Sequence, residues 1–311
     1  MKKSLSIFGG SGFLGKSFYD SFSDNFLKKF GIDELNLVSR SAVDKFKYNK
    51  NKNIKAYNFD FSNNIGQLPE RTDYIINAVD HASYDFYEDG FSNDQIIENV
   101  INISKKKYNN PNTLYISSGA VYGEQTEFSG FKEEFNNPDF TNFTKQKKKY
   151  AISKTKFEKA YKNISNNNCK NVIARCFTFI GSNVPLDQHF AIGNFYNSVF
   201  KKNRIKILSK MNIYRSYMDA YDLVNWLLTV FLENKKDYDI FNIGAKEHIE
   251  IEELAKIFKD IFKIDFERSN GKSDKMDIYL PNIEKATKLY KLDYEKNLKY
   301  LIENNFKKIQ L

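Results

Sequence analysis

The 311-residue sequence contains few of the residues that bind metals or form disulfides. Its cysteines are Cys169 and Cys176, and its histidines, His81, His189 and His248, are scattered along the chain. Structural zinc sites need closely spaced cysteine and histidine ligands, and a disulfide framework needs more cysteines at regular spacings. The sequence therefore predicts neither a metal site nor a disulfide framework.

Long hydrophobic runs are also missing from the sequence. The longest apolar stretch, LVNWLLTVFL, is interrupted by Asn225 and is shorter than the ~20 residues that span a bilayer. The N-terminal MKKSLSIFGG is positively charged but has no sustained apolar region, so it differs from a secretory signal. We therefore expect a soluble, cytoplasmic protein that does not contact membranes.

The formal charge of +9 raises the possibility of nucleic-acid binding. However, the lysines are dispersed through Asn- and Lys-rich segments such as KYNKNKNIK, and no glycine-aromatic RNA-binding signature accompanies them. We therefore expect no nucleic-acid partner. A diffuse basic surface would instead attract anionic substrates, with phosphate-bearing metabolites favoured.

Short apolar segments alternate with longer amphipathic ones, a pattern typical of an α/β protein with a Rossmann-type, doubly wound parallel sheet. We expect residues 1–175 to form a dinucleotide-binding domain, with residues 213–243 packing back on it. Residues 176–311 should form mainly a smaller substrate lobe. The four-residue spacing of Phe18, Phe22, Phe26 and Phe30 predicts one apolar stripe on the first helix. The expected strands contain LSIF, LNLV, KAYNF, DYIINAV, NTLYIS and NVIARCF.

The segment GGSGFLGKS, residues 9–17, joins the first expected strand to this helix and matches two phosphate-binding patterns. From Gly10 it spells the nucleoside triphosphate loop, in which Lys16 would reach the terminal phosphates and Ser17 would hold magnesium. Asp80, which follows the expected strand YIINAV, could then complete the magnesium site. This interpretation predicts a P-loop NTPase.

From Gly9 the same letters give the dinucleotide-binding spacing. Gly9 would form the tight turn, Gly12 would let the backbone approach a pyrophosphate, and Gly15 would let the helix pack on the strand. The bulky Phe13 and Leu14 favour this interpretation, because they suit a helix that docks on a sheet better than a loop that wraps a triphosphate. Lys16 and Ser17 would then have no role in function.

Tyr150 and Lys154 lie one turn apart on an expected helix, and Ser117 and Ser118 end a buried strand about thirty residues earlier. A phenol has a reference pKa of about 10, so a pKa of about 7 requires ~4 kcal/mol of differential stabilisation. An ammonium one turn away and a nicotinamide cation would both favour the phenolate. A serine hydroxyl could hydrogen-bond the reacting oxygen while the tyrosine exchanges its proton.

With these motifs in this order, nearly the whole chain resembles the extended short-chain dehydrogenase/reductase family of nucleotide-sugar epimerases, dehydratases and reductases. The resemblance implies Ser118, rather than Ser117, as the catalytic hydroxyl beside Tyr150 and Lys154. Asn93 has about the spacing of the family asparagine that braces the site. The resemblance also implies a homodimer and a role in cell-surface polysaccharide biosynthesis. The cofactor contacts it implies are Gly9, Gly12, Phe13, Leu14, Gly15, Arg40, Asp60, Phe61, Tyr150 and Lys154.

The resemblance further implies substrate contacts from Ser118, Thr178, Asn194 and Arg215, with Asn194 and Arg215 on the nucleotide diphosphate. For Arg215 the alternative is an internal ion pair with Asp219 or Asp222, because an unpaired buried arginine would be costly. Thr178 stands where many members have asparagine, so sugar recognition cannot be copied from them.

Three departures from the family pattern bear on the reaction. Gly119 and Ala120 stand where dehydratases carry an Asp-Glu pair, so we do not expect water elimination. Ser39 and Arg40 end the second expected strand without an acid, which favours NADP over NAD. Asp80 and His81 follow Val79 at a strand end that usually carries small residues, and their roles stay open.

These observations predict an NAD(P)-dependent oxidoreductase acting on a nucleotide sugar. Keto-sugar reduction with NADPH, with hydride transfer at carbon 4, is favoured. The first alternative is 4-epimerisation through a transient ketone. The remaining alternatives are the P-loop NTPase and a catalytically silent dinucleotide-binding protein.

Overall fold

The computed structural model describes residues 2–23, 26–79, 93–165, 169–188, 190–268 and 271–309. The strands are β1 Ser4–Phe8, β2 Glu34–Ser39, β3 Ile54–Asp60, β4 Ile65–Gly66, β5 Tyr74–Asn77, β6 Asn112–Ser118, β7 Asn171–Cys176, β8 Phe179–Ile180, β9 Ile205–Ile207, β10 Asn212–Ser216, β11 Met218–Asp219, β12 Tyr238–Ile243, β13 His248–Glu250, β14 Phe266–Arg268 and β15 Met276–Tyr279.

The α-helices are α1 Phe13–Ser23, α2 Ala42–Lys45, α3 Asp94–Asn102, α4 Lys145–Ile164, α5 Ala191–Phe200, α6 Ala220–Leu232, α7 Ile251–Phe262, α8 Glu284–Tyr290 and α9 Leu298–Ile309. Tighter 3₁₀ turns cover Phe26–Phe30 and Gly119–Tyr122, and a π-helical turn at Ile103–Lys107 extends α3. In the described part of the chain, no helix is both long and apolar enough to cross a membrane.

The chain divides into two compact units, which differ from the expected domains mainly in two segments. The first unit comprises Met1–Val121, Phe143–Cys176 and Val224–Phe241, and the second comprises Tyr122–Asn142, Phe177–Leu223 and Asn242–Leu311. Residues 122–142 were expected in the first domain, and residues 213–223 were expected to pack back on it. Both segments belong to the second unit.

The first unit is built on an eight-stranded sheet in the order β12-β7-β6-β5-β1-β2-β3-β4, counted over the described residues. The strand pairs β3–β2, β2–β1, β1–β5, β5–β6 and β6–β7 are parallel. Among the described pairings of this sheet, only the short β4 is antiparallel to its neighbour, β3. Every residue of β1 and β7 is buried, as expected for strands that are covered on both faces. The doubly wound α/β fold predicted from the sequence is therefore confirmed.

The first helix is shorter than its phenylalanine pattern predicts. Phe18 and Phe22 are buried on α1, which ends at Ser23, but Phe26 and Phe30 lie in a separate 3₁₀ turn and are half-buried. A spacing of four residues drifts by about 40° per step around an α-helix. A fourth phenylalanine would therefore leave the buried face, and the prediction of one four-residue stripe is wrong beyond Phe22.

In the second unit, β13, β10 and β15 form a three-stranded sheet, with β10 antiparallel to β13 and parallel to β15. Residues 122–142 lie along this sheet, because Gln125 bridges Ile278 and Phe131 bridges Pro281. The Tyr122 hydroxyl donates to Oδ1 of Asn242 over 2.7 Å. These contacts explain why the segment belongs to the second unit despite its place in the sequence.

The helix α7 begins with a capping arrangement made by acidic side chains. The Glu250 carboxylate accepts from the amide of Glu252 over 2.9 Å, and Glu253 reaches back to the amide of Glu250. Leu254 and Phe258 are fully buried on its inner face. Negative side chains at a helix N-terminus are stabilising, so the helix start is fixed locally as well as by packing.

Buried phenols and a buried thiol predict a loss of stability in alkaline solution. Burial raises the pKa of Tyr217 and of Cys176 to about 12, and it raises the pKa of Tyr161, Tyr196 and Tyr294 as well. Because the folded pKa values exceed the unfolded ones, these groups stabilise the fold below pH ~9 and lose that contribution as the pH rises toward the folded values.

We therefore expect the free energy of unfolding in urea to be nearly constant from pH 7 to about 9 and to fall steeply above about 10. Absorbance of tyrosinate at 295 nm should show fewer than the chain's 20 tyrosines ionising before the cooperative transition. Titration of all tyrosines near pH 10 in a chain that stays folded would contradict this expectation.

Candidate functional site

The chain leaves β1 through a turn that only glycine can make at its first position. Gly9 has a φ of +88°, and a Cβ atom there would lie 2.6 Å from the carbonyl oxygen of Ala78. The amides of Gly9 and Gly10 both donate to the carbonyl oxygen of Val38, over 2.9 and 3.0 Å. Val38 belongs to β2 and Ala78 follows β5, so the turn lies where the strand order reverses, at the carboxyl ends of the strands. Ligands of doubly wound sheets bind at this point.

The helix α1 approaches this turn through a backbone contact at Gly15. A Cβ atom on Gly15 would lie 1.9 Å from the carbonyl oxygen of Gly10, and one on Gly10 would lie 2.8 Å from the amide nitrogen of Val38. The packing role predicted for Gly15 therefore has a partner, Gly10, which the dinucleotide interpretation did not assign. The only signal for it in the sequence is a second glycine directly after Gly9.

Gly12 differs from these glycines because its own surroundings leave room for a side chain. It is exposed, and a Cβ atom there would meet only the carbonyl oxygen of Gly9, at 3.4 Å. The first amides of an α-helix have no partner within the helix and carry a partial positive charge. Gly9, Gly10, Gly12 and Gly15 thus form a glycine cradle at the helix start, with room at Gly12, where unpaired helix amides attract anions.

The same geometry contradicts the triphosphate interpretation of the loop. The helix begins at Phe13, and the amide of Lys16 already donates to the carbonyl oxygen of Gly12 over 3.1 Å. The Ser17 hydroxyl is buried and donates to the carbonyl oxygen of Phe13 over 2.8 Å. Lys16 and Ser17 therefore lie inside the helix and not at the mouth of a loop that could wrap a triphosphate.

The end of β2 presents a buried hydroxyl followed by an exposed cation. Ser39 is 8% exposed, and its Oγ has no hydrogen-bond partner within the described residues. Arg40, the next residue, is exposed. A buried polar atom without a partner is costly unless a ligand or water satisfies it. The pair offers a hydroxyl and a guanidinium, which suit a phosphate group.

At the end of β3, Asp60 is held as a carboxylate within a tight turn. Its Oδ1 accepts from the hydroxyl and the amide of Ser62, and its Oδ2 accepts from the side-chain amide of Asn63 over 2.9 Å. The hydroxyl of Ser62 and these further donors lower the pKa of Asp60, and the charge of Arg40 lowers it further. Asp60 is thus a fixed negative charge near Arg40.

Phe61 belongs to the core of the first unit. Its side chain is 4% exposed, and its ring lies 4.8 Å from that of Phe8 and 5.0 Å from that of Phe59, centroid to centroid. The carbonyl oxygen of Phe61 accepts from the side-chain amide of Asn99 over 2.8 Å. Any contact of Phe61 with a cofactor would therefore come from its main chain.

The three residues predicted to carry the chemistry come from β6 and α4. Tyr150 and Lys154 are buried on one face of α4, with the Lys154 Nζ 5.5 Å from the centroid of the Tyr150 ring. The Lys154 ammonium also donates to the carbonyl oxygen of Ile116 over 3.0 Å, two residues before Ser118 in β6. A hydrogen bond from Lys154, which the sequence predicts as catalytic, thus links α4 to β6.

Ser117 and Ser118 occupy different surroundings, as side chains on opposite faces of a strand must. The Ser117 hydroxyl donates to Oε1 of Glu158 over 2.5 Å, and Glu158 forms a buried, two-point ion pair with Arg175. The Oγ of Ser118 accepts from the amide of Ala120 over 3.2 Å at the carboxyl end of β6. The Ser117 hydroxyl is therefore occupied by the carboxylate of the Glu158–Arg175 ion pair.

The remaining predicted positions of the first unit are Asn93 and the residues that follow β5, Val79, Asp80 and His81. The side-chain amide of Asn93, at the start of α3, donates to the Oγ of Ser153 over 2.8 Å, so it contacts α4 one residue before Lys154. The Val79 amide donates to Oδ1 of Asn77 over 3.0 Å. Asp80 and His81 lie outside the described residues.

In the second unit, the residues predicted to bind substrate lie on different elements. Thr178 follows β7 and is half-buried, whereas Asn194 is exposed on α5. The Nη2 of Arg215 on β10 donates to Oδ2 of Asp277 over 2.7 Å, and Nη1 donates to the carbonyl oxygen of the same residue. The guanidinium also lies 5.6 Å from the centroid of the Tyr279 ring.

The internal ion pair that was expected for Arg215 as an alternative exists, but with a different partner. Asp219 and Asp222 lie near the ammonium of Lys296, which is 3.5 Å from Oδ2 of Asp219 and bonded to Asp222. The strand pairing of β10 with β15 places Asp277 beside Arg215 across 62 residues of sequence. The expected pairing of Arg215 with Asp219 or Asp222 is therefore wrong.

A doubly wound sheet with a glycine turn at its switch point defines the class of Rossmann-type proteins that bind dinucleotides. The model of the NAD dependent epimerase/dehydratase family matches residues 5–244. This chain belongs to that family, as its resemblance to the extended short-chain dehydrogenases and reductases predicted. Membership in this family also contradicts the P-loop NTPase alternative.

Relatives and solved structures agree with this assignment. An ADP-L-glycero-D-manno-heptose-6-epimerase of Brachyspira hyodysenteriae is 25% identical over 281 residues, which are 83% of this chain and 80% of the relative. The dTDP-glucose 4,6-dehydratase DesIV of Streptomyces venezuelae superposes with a TM-score of 0.81 at 15% identity, over 99% of this chain and 97% of that chain. The UDP-glucose 4-epimerase of Thermotoga maritima gives a TM-score of 0.77 at 17% identity, over 99% and 98%.

The glycines of the turn give a matched pair of variants. Gly15→Ala should destabilise the protein by about 2–3 kcal/mol, because its methyl group has no space beside Gly10. Gly12→Ala should leave the free energy of unfolding within ~0.5 kcal/mol but weaken NADPH binding at least tenfold. Urea unfolding and fluorescence titration with NADPH measure the two effects. Equal destabilisation by both variants, or NADPH affinity retained in Gly12→Ala, would contradict these assignments.

Proposed function

We propose that this protein is an NADPH-dependent reductase of a keto sugar carried on a nucleotide, with hydride transfer at carbon 4 of the sugar. The observation that carries the proposal is the joining of Tyr150, Lys154 and the Ser118 strand through the Lys154–Ile116 hydrogen bond. It supports a proton-transfer site built on two rigid elements. The glycine cradle supports dinucleotide binding.

When bound, the nicotinamide cofactor supplies the hydride. Tyr150 gives the proton from its phenol oxygen to the substrate oxygen as that oxygen gains negative charge. The Ser118 hydroxyl hydrogen-bonds the same substrate oxygen. The buried ammonium of Lys154 stabilises the phenolate that Tyr150 leaves behind, because opposite charges attract strongly away from water.

Two positions next to Ser118 support reduction or epimerisation over water elimination. Gly119 and Ala120 form the tight turn after β6, and neither has a side chain that could act as an acid or a base. Elimination needs such a pair at the site. The Brachyspira relative is a 6-epimerase by name, which supports an epimerase as the alternative.

For the substrate, we propose that Arg215, Asn194 and Thr178 of the second unit contact the nucleotide diphosphate and the sugar. Arg215 has five N–H donors, and Asp277 and the main chain use only part of them. A diphosphate could therefore share the guanidinium with Asp277. A homodimer, a cytoplasmic location and a role in cell-surface polysaccharide synthesis stay predictions from the family resemblance.

To test the reaction, purified protein is incubated with UDP-, GDP-, CDP- and dTDP-sugars, their 4-keto-6-deoxy forms and an ADP-heptose, with NADPH or NADH. We expect stoichiometric loss of absorbance at 340 nm with one keto sugar. Tyr150→Phe should lower kcat by about 10²–10⁴-fold, because its ring keeps its place but has no proton to give.

Tyr161→Phe is the matched control, since Tyr161 is another buried tyrosine of α4, bonded to Asn77, and should retain turnover. Interconversion of sugars without net loss of NADPH would replace the reductase by the epimerase. No turnover of any nucleotide sugar, despite tight dinucleotide binding, would favour a catalytically silent protein.

We further propose that Ser39 and Arg40 bind the 2′-phosphate of NADP. Arg40→Ala should raise the Kd for NADP⁺ about tenfold or more, the worth of a charge-assisted hydrogen bond, and leave the Kd for NAD⁺ nearly unchanged. Lys45→Ala removes an exposed charge from the nearby helix α2 and should change neither value. Calorimetric titration gives both constants, and an unchanged ratio in Arg40→Ala would exclude this role.

A further inference from the structure

The ammonium of Lys154 is a buried charge that contacts aromatic rings as well as a hydrogen-bond acceptor. Lys154 is 5% exposed, and one proton of its Nζ goes to the carbonyl oxygen of Ile116. An ammonium has three donors and cannot be left in a protein interior without compensation. The position in which the ammonium is held determines how strongly it can stabilise the phenolate of Tyr150.

The ring of Tyr115 provides a second contact for this charge. Its centroid lies 5.3 Å from the Lys154 Nζ, slightly closer than the centroid of Tyr150 at 5.5 Å. Cations are attracted to the faces of aromatic rings within about 6 Å, and this attraction grows when both groups are removed from water. Tyr115 is fully buried in β6, so the condition is met.

The Tyr115 ring is also held rigidly. It stacks on Phe157 with a centroid distance of 4.8 Å and on Tyr161 with a distance of 5.6 Å, at interplanar angles of 23° and 28°. Both partners belong to α4, the helix that carries Lys154. The ring therefore cannot turn its face away from the ammonium without breaking two aromatic contacts.

We propose that the Tyr115 ring is a positioning element for Lys154, which holds the ammonium beside Tyr150 through a cation–π interaction. This inference rests on the proposed function of Tyr150 and Lys154. Tyr115 touches neither substrate nor cofactor in this scheme. It acts through Lys154: the electron-rich ring and the Ile116 carbonyl fix the charge, and the fixed charge favours the phenolate of Tyr150.

The sharpest test changes the electrons of the ring without changing its size. Phenylalanine, 4-fluoro-, 3,5-difluoro- and 3,4,5-trifluorophenylalanine are placed at position 115 by nonsense suppression. Each fluorine weakens the attraction of the ring for a cation. We expect kcat to fall stepwise to about a tenth from phenylalanine to the trifluoro ring, with KM unchanged.

The pH profile provides a readout that packing alone would not move. As the ring loses its hold on the ammonium, the pH at which kcat reaches half its maximum should rise by up to about one unit across the series. Trifluorophenylalanine at position 157 is the matched control. It alters the same aromatic stack, and we expect neither kcat nor the pH profile to change. A flat kcat across the series at position 115 would overturn the proposal.

A measurement without substrate separates this inference from the proposed function. Tyr115→Leu, Lys154→Met and the double variant form a mutant cycle in urea unfolding of the protein without ligands. We expect a coupling of about tenfold in the unfolding equilibrium constant, which is ~1.4 kcal/mol. If no nucleotide sugar is turned over, the proposed function fails, and the Tyr115–Lys154 contact is then judged from the mutant cycle only. Coupling between the two substitutions supports the contact, and additive effects would overturn it. If turnover is found, coupling with a flat fluorine series overturns the positioning role.

Discussion

The site of this protein depends on a contact between two backbones that leaves no space for a single methyl group. Where α1 begins, Gly15 lies directly on Gly10, and Gly10 in turn lies against β2. The helix start is therefore in close contact with the sheet, at the point where the strand order reverses. Because the contact involves main-chain atoms only, the position of the glycine cradle does not depend on rotamers. The bifurcated hydrogen bond from Gly9 and Gly10 to Val38 extends the same rigidity to the neighbouring strand.

The second rigid contact joins α4 to β6, and it uses one helix face for three purposes. Tyr150, Lys154 and Glu158 follow each other at intervals of one turn, so they point to the same strand. The first is proposed to move a proton, the second supplies charge and donates to the strand, and the third binds the adjacent serine and Arg175. A buried ion pair contributes little net stability but is costly to break once it has formed.

The sequence was sufficient for features that local pattern determines, namely six strands of the central sheet and the Tyr150–Lys154 face, but it did not indicate β4 or β12. It was insufficient where distant segments decide. Gly10 becomes a packing partner only when the chain folds and Gly15 of α1 lies on it. Arg215 pairs with Asp277 only because β10 lies beside β15. Residues 122–142 follow β6 in the chain but bridge Ile278 and Pro281. The phenylalanine spacing near the N-terminus was misread because a period of four is close to, but not equal to, that of a helix. The roles predicted for Arg40, Asp60 and Asn194 concern ligands, which no intramolecular contact tests.

The first unit is assembled from three separate segments, and this has a consequence during synthesis on the ribosome. Strand β7 ends at Cys176, but its outer neighbour β12 comes from the third segment, with Asn171 bonded to the carbonyl oxygen of Asp237. Until that segment has left the ribosome, β7 is an open sheet edge, which invites pairing with other chains. The 65 residues between positions 176 and 241 take about 3–13 s to translate at roughly 5–20 residues per second. During that interval β12 is not available to pair with the β7 edge of the nascent sheet.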